Sequence, residues 1–162
     1  MSAEALLRDP GFQLNLLLWM TREQPSNAYL IRPLFQELGF ALTYIENRFS
    51  LPEETIRRAK VTSLEIGMAP EPDVLLQRDR DKKALYIEAK AGSFSAESSS
   101  AKQARGHLLA SGSAYAEVMR PIEQCLFCCV VPDSDQSPMD KCLTTLCGEL
   151  SRAGLDPGPH SV

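Results

Sequence analysis

Two carboxylates and one amine stand at spacings that suit hydrolytic chemistry: Asp73 in "EPDVLLQ", and Glu88 and Lys90 in "ALYIEAKAG". The second run, Ala84 to Gly92, is otherwise apolar or small, and a charge buried in such a run is costly unless something pairs it. The polar stretch "RDRDKK" between the two runs reads as a turn, so together they predict a β-hairpin. In an antiparallel hairpin, opposed residues have position numbers with a constant sum. A turn centred between Arg80 and Asp81 sets Asp73 opposite Glu88 and Leu75 opposite Tyr86. Opposed side chains share a face, and strand side chains repeat every two residues. Asp73, Glu88 and Lys90 are therefore expected on one face, with Val74, Leu76, Ile87 and Ala89 on the other. Two neighbouring carboxylates repel unless a proton or a cation lies between them. Their oxygens, with water, suit Mg²⁺ or Mn²⁺. A metal there can generate hydroxide and act as a Lewis acid on a phosphodiester, with Lys90 placed to orient the water and stabilise a pentavalent phosphate. The blander alternatives are that Asp73, after Pro72, opens a turn and that Glu88 and Lys90 form a weak surface ion pair. The apolar and small neighbours in "LYIEAKAG" argue against a solvated edge.

The elements that must position these residues are legible as patterns. An N-terminal helical stretch runs from Ala3 to Met20, interrupted at Pro10 and Gly11, so a second helix is expected from about Phe12. A further helix is expected to start at Ser26 or Asn27, to contain Leu30, Ile31, Leu34, Phe35 and Leu38, and to stop at Gly39. A first strand falls near Phe40 to Glu46, and "SLPEETIRRAK" carries a helix signature with acids early and bases late. After the hairpin come the Ser-rich "SFSAESSSA", a helix through "AKQARGHLLASGSAYAEVM" weakened by Gly106 and Gly112, and the apolar strand "QCLFCCVVP". A last amphipathic helix is expected with Ser137 as cap, Pro138 at its first position and Gly154 as its stop. The strand–helix–strand step implies a crossover. The expected fold is therefore α/β, a mixed central sheet of about four strands flanked by helices on both faces. One domain over 1–155 and a disordered tail over 156–162 are expected. A tail beginning straight after a helix is also compatible with the chain being a piece of a longer protein.

This arrangement resembles the PD-(D/E)XK nuclease superfamily, carried by Pro72-Asp73, fourteen intervening residues, and Glu88-Ala89-Lys90. The resemblance implies a restriction-endonuclease-like fold over about residues 27 to 131, with a helix, a three-strand meander, a second helix and a fourth strand. It implies that Asp73 and Glu88 hold Mg²⁺ or Mn²⁺, with a main-chain carbonyl near Ala89 as a further ligand, and that Lys90 assists the attacking water. Some branches add a Gln from the following helix, where Gln103 stands, and some an acid from the first helix, for which Glu37 is the nearest candidate. Activity as a metal-dependent nuclease on DNA follows, in a bacterial anti-phage or DNA-repair setting. The alternative is a catalytically silent module of the same fold that binds nucleic acid or builds a complex.

The surrounding charges sharpen and limit this reading. The 162 residues carry a net charge of -4, so no global basic field announces nucleic-acid binding and a local basic surface or a metal must offset phosphate charge. Lys102 and Arg105 flank Gln103 and suit phosphate contact, though a solvated helix face explains them too. Arg57 and Arg58, with Lys60, make the cleanest basic patch, but a helix C-terminus favours cations anyway. His107 lies one turn beyond Gln103 on the same face, where a structural role is the commoner one. The bases of the hairpin tip alternate with Asp79 and Asp81 and read as a turn kept soluble. No stretch approaches the ~20 apolar residues of a membrane span, and "MSAEALLRDPGFQLNLLLWM" lacks the charge order of an export signal, so a cytoplasmic protein with no membrane partner is expected. Five cysteines then read as reduced thiols. Zinc binding through the Cys125–Cys128 spacing is the weaker reading, because residues three apart on a strand face opposite ways. A homodimer through the last helix, or a larger complex, is compatible with either function.

Overall fold

The computed structural model describes residues 3–21, 34–46, 48–92, 99–112 and 122–162. In chain order the elements are α1 (Ala3–Leu7), α2 (Pro10–Met20), α3 (Leu34–Glu37), β1 (Ala41–Ile45), α4 (Glu53–Val61), β2 (Val74–Arg78), β3 (Lys83–Ala89), α5 (Ser99–Gly112), β4 (Gln124–Val130), α6 (Gln136–Arg152) and β5 (His160–Ser161). Single 3₁₀ turns at Asp79–Asp81 and Asp133–Asp135 close the hairpin and lead into α6. The five strands form one mixed sheet in the order β1-β2-β3-β4-β5. β1, β2 and β3 are antiparallel neighbours, while β3 and β4, joined through α5, run parallel.

The hairpin register follows from the alternation of its side chains. Leu75 pairs with Tyr86 and Val74 with Ile87, the constant sum expected from a turn centred between Arg80 and Asp81. Lys82 takes the left-handed conformation that brings the chain back (φ 49). One sheet face presents Leu75, Tyr86, Phe127 and Cys129 to Ala104 and Leu108 of α5 and to Met139, Leu143, Leu146 and Leu150 of α6. The other presents Val74, Leu76, Ile87 and Ala89 to Leu17 of α2 and to Phe40. Burying each of these large side chains contributes about 1.5–3 kcal/mol, and covering both faces explains why Val74–Leu76 and Ala84–Ala89 read as apolar runs, the second broken at Glu88.

Several boundaries differ from the sequence expectation for local reasons. The N-terminal stretch is interrupted as expected, but the break falls at Arg8 and Asp9, and Pro10 and Gly11 begin α2. Pro10 occupies a first-turn position, where its missing N–H is no loss, and Asp9 caps the helix by accepting from Phe12 N–H at 2.7 Å. α6 starts before Ser137, because the 3₁₀ turn runs straight into it and Asp135 takes the cap position. Pro138 falls within the first turn, where an N–H lacks an intrahelical partner in any case. Gly39 and Gly154, at φ 81 and 71, follow the ends of α3 and α6 as expected. The expected start of the helix before Gly39, at Ser26 or Asn27, and 93–98 of the Ser-rich stretch lie outside the described residues, as do 113–119 of the expected long helix; Ser99 to Ala101, expected in the Ser-rich loop, begin α5.

The expectation of a disordered tail over 156–162 is corrected, and with it the strand count. His160 and Ser161 add to the sheet as β5, parallel to Phe127 and Cys128. Phe127 N–H donates to Pro159 O at 2.9 Å and Gly158 N–H to Leu108 O at 2.8 Å. A β-carbon on Gly158 would come 2.3 Å from Ser111 Oγ, so only glycine lets this backbone lie on the end of α5. The open edge of β4 supplied unpaired main-chain groups, and their pairing outweighed the Pro/Gly composition. β4 alternates as expected, with Cys125 and Cys129 in one core and Cys128 against the other. All five cysteines are free thiols. Among the described residues, no helix is long and apolar enough to cross a membrane.

Candidate active site

The site forms where β2 begins and β3 ends. Asp73 lies just before β2, and its Oδ2 accepts from Ala89 N–H at 2.6 Å, which pins the carboxylate against the exit of β3. Glu88, only 3% exposed, points into the α5 side of the sheet next to Tyr86 in the side-chain alternation. Lys90 follows the strand, its N–H donating to Val130 O at 2.8 Å. Its side chain folds back so that Nζ sits 2.5 Å from Glu88 Oε1 and donates to Gln103 Oε1 at 3.4 Å. The structure therefore brings together Asp73, Glu88, Lys90 and Gln103, from the entry to β2, the end and exit of β3, and α5.

The site is electrostatically unbalanced. Burial, then the neighbouring Asp73 charge, pushes the Glu88 carboxyl up to about 7, against the downward pull of Lys90. Burial also raises Asp73, offset in part by the Ala89 N–H and by Lys90. Two carboxylates thus share one lysine. Glu88 Oε2 is buried and has no hydrogen-bond partner among the described residues, a position that costs free energy unless a proton or a cation occupies it.

His107 closes the inner side. It is fully buried, stacks on Phe127 with ring centroids 5.6 Å apart, and places Nδ1 2.8 Å from the Tyr86 hydroxyl oxygen. Its Nε2 faces Glu88 Oε1 at 3.7 Å and has no hydrogen-bond partner among the described residues. Burial first, and the Lys90 charge second, push the imidazole down to about 3, so it is neutral at pH 7. Tyr86, raised well above its ordinary value chiefly by burial, stays protonated. His107 is therefore packed as a core residue and also lines the carboxylate.

The approach to the site is shaped by glycine. Gly67 N–H donates to Lys102 O at 2.7 Å, and a β-carbon on Gly106 would stand 2.5 Å from Gly67 O. The chain at Gly67 consequently lies directly on α5. Beside this contact a depression of about 300 Å³ is lined by Gly67, Ala69, Pro70, Glu71, Lys102, Gln103 and His107. A larger cavity of about 670 Å³ opens at the other end of the sheet, along Arg78, Lys83 and Gln124, and contains none of the four site residues. The smaller one matters here, because it shares Gln103 and His107 with the carboxylates.

The basic residues divide. Lys102 is exposed on the rim of the depression. Arg105 is engaged in the fold: it pairs with Glu149 of α6 at 2.8 Å and donates to Glu65 O at 3.2 Å. Arg57 and Arg58 both pair with Glu54, and Arg58 reaches Gly154 O after α6, so this patch belongs to the α4–α6 corner. Glu37 is exposed in α3, whose Phe35 packs on the α2 side of the sheet, away from the face that holds Glu88. Ala89 contributes its N–H to Asp73, and its side chain belongs to the α2-side core.

Two contributors were not apparent from the spacing. Gln13 of α2 is 3% exposed and donates through Nε2 to Lys90 O at 3.1 Å, and Arg8 donates to Ala91 O at 2.9 Å. The available signal was a glutamine inside the apolar "GFQLNLLLW", since a polar residue within an apolar helix face needs a partner. Comparison of the chain with family models, curated proteins and solved structures finds no match. The functional reading therefore rests on the geometry of the site itself.

Proposed function

We propose that the protein is a divalent-metal-dependent nuclease that hydrolyses DNA phosphodiester bonds, on a fold of the restriction-endonuclease-like kind. The observation that carries this reading is the pair of carboxylates around one lysine, with a buried Glu88 oxygen that has no hydrogen-bond partner among the described residues. The donor set fits Mg²⁺ or Mn²⁺. Among the described residues no three His, Cys, Asp or Glu side chains gather as a closed metal cage. Mg²⁺ is commonly held by one or two carboxylates and keeps its remaining positions for water and substrate phosphate. Asp73 and Glu88 would hold the ion, with the main-chain carbonyl of Ala89 as a further ligand. Bound there, the ion supplies an acidified water and a Lewis acid for the phosphoryl oxygen.

The chain's own groups account for the rest. The Lys90 ammonium, oriented by Glu88 and Gln103, donates hydrogen bonds at the place where a water and a phosphate oxygen would meet and offsets the growing negative charge. Gln103 holds Lys90 and fixes its approach. His107 and Tyr86 form the dry inner wall that confines Glu88 to one orientation. Lys102, on the rim, is placed to contact a phosphate of the nucleic-acid backbone.

A second reading, a binding or assembly module that does not cleave, is favoured by the net charge of -4 and by Arg57, Arg58 and Arg105 being engaged in ion pairs. The two separate on one assay. Supercoiled and linear DNA are incubated with Mg²⁺ or Mn²⁺ and wild type, Asp73→Ala or Lys90→Ala. The nuclease reading expects cleavage by wild type alone. Cleavage that persists in both variants, or in the absence of metal, rejects it, and binding without cleavage selects the module.

A further inference from the structure

We infer that the N-terminal helices act as a clamp on the catalytic lysine, with Gln13 and Arg8 as positioning residues for Lys90; this rests on the nuclease reading of the site. Lys90 lies beyond the last residue of β3. Its main chain keeps one ladder bond, from its N–H to Val130 O, and past it the strand gives no further support. Two consecutive carbonyls at this exit are instead taken by side chains from across the sheet. Lys90 O accepts from Gln13 Nε2 at 3.1 Å, and Ala91 O accepts from Arg8 at 2.9 Å. Neither donor floats. Gln13 is buried, and its Nε2 also donates to Leu7 O at 2.5 Å, which ties α1 to α2. Arg8 also pairs with Asp135 at 3.1 Å and donates to Ser134 Oγ at 3.3 Å, so it links the exit of β3 to the turn before α6.

The lysine is thus held at both ends, its ammonium by Glu88 and Gln103 on one side of the sheet and its carbonyl by α2 on the other. A flexible four-carbon side chain places its nitrogen only as well as its main chain is fixed. A misplacement of about 1 Å at a reacting group costs on the order of a hundredfold in rate. The amide of Gln13 is committed to this task at a cost, because its Oε1 is buried without a partner. Gln13 and Arg8 lie outside the stretch of about 27 to 131 that carries the nuclease resemblance, so the clamp is a feature of this chain's own N-terminal region.

The test uses the full chain with Gln13→Met, which keeps the volume and removes the donor, and Arg8→Met, at a half-exposed position where folding is not at issue. With Mn²⁺ and plasmid DNA, each variant is expected to lower kcat about ten- to a hundredfold while KM and Mn²⁺ affinity by calorimetry stay near wild type; Gln13→Met, which leaves Leu7 O and Lys90 O without this donor, also lowers Tm by about a few degrees. Arg8→Lys, which keeps one donor, is expected to recover part of the loss. Unchanged kcat in both Met variants overturns the clamp. If wild type does not cleave in any metal, the nuclease reading fails, and the clamp is judged on the ¹⁵Nζ NMR signal of Lys90. Loss of the Lys90–Glu88 contact in Gln13→Met supports it, and an unchanged signal overturns it.

Discussion

Glu88 Oε1 lies 2.5 Å from Lys90 Nζ, while the other oxygen of the same carboxylate is buried with no hydrogen-bond partner among the described residues. An ion pair built for stability would satisfy both oxygens, since a buried pair stabilises only when its remaining lone pairs are hydrogen-bonded. The half-satisfied carboxylate, with Asp73 held beside it by Ala89, is the feature from which the functional reading grows.

Glu88 and His107 make opposite contributions to stability against pH. The Glu88 carboxyl is raised from 4.5 to about 7, so the folded chain keeps a proton that the unfolded chain has lost. That contribution is full below about 4.5 and is lost as pH rises through about 7. Asp73, raised as well, adds in the same sense. His107 is lowered from 6.5 to about 3, so its contribution is full above 6.5 and is lost as pH falls toward 3. Glu88 and His107 oppose each other between 4.5 and 6.5, so wild-type stability in urea is expected to vary less with pH there than in either single variant. In Glu88→Gln the His107 slope should emerge, with stability falling as pH drops below 6.5. In His107→Gln stability should instead fall as pH rises from 4.5 to 7.

Removing the lysine should move the carboxylate. Lys90 is the principal group lowering Glu88, so Lys90→Met is expected to push the Glu88 carboxyl above about 7, followed by carboxyl ¹³C NMR titration. Cleavage should fall by at least a hundredfold in the same variant, and Lys90→Arg should not restore it, because a planar guanidinium does not replace a compact ammonium.

Gly106→Ala should be destabilising although alanine is the better helix former. Its β-carbon would meet Gly67 O at 2.5 Å and Gly67 Cα at 3.0 Å, both main-chain atoms. Overpacking of this kind costs about 1–3 kcal/mol, read as a lower urea midpoint. Because α5 carries Gln103 and His107, activity at a permissive temperature should fall with it.

Lys102 and Arg105, neighbours on one helix, should separate by readout. Arg105→Ala loses a partly buried pair with Glu149 and the bond to Glu65 O, so it should lose about 1–3 kcal/mol of stability and leave the salt dependence of DNA affinity unchanged. Lys102→Ala should leave stability alone and reduce the salt slope by about one.

The sequence reading reached furthest where local rules decide. The hairpin register, and with it the meeting of Asp73, Glu88 and Lys90, followed from a turn centre and a period of two. Gln103 came from the family resemblance, in which some branches add a Gln from the next helix, and its contact with Lys90 is observed. What was not legible depends on distant partners. The tail over 156–162 has the composition of a loop, yet an open strand edge and the space left at Gly158 recruit it as β5. Arg105 looks like a surface base until Glu149 of α6 is placed beside it. His107 read as a lone helix histidine, and its relation to Glu88 required knowing that Tyr86 and Phe127 wall it in. Gln13 sits 77 residues from Lys90, a distance across which no local pattern gives pairing.

The central claim is that Asp73 and Glu88 together hold one divalent cation. It is tested most directly by calorimetric titration of Mn²⁺ into wild type, Asp73→Asn and Glu88→Gln at pH 6 and pH 8. Both substitutions remove a charge with little change in shape. The account predicts one Mn²⁺ per chain in wild type, tighter at pH 8 because Glu88 must lose its proton at about 7, and no binding at that site in either variant. No heat in wild type at either pH, or an isotherm unchanged by both substitutions, would contradict it.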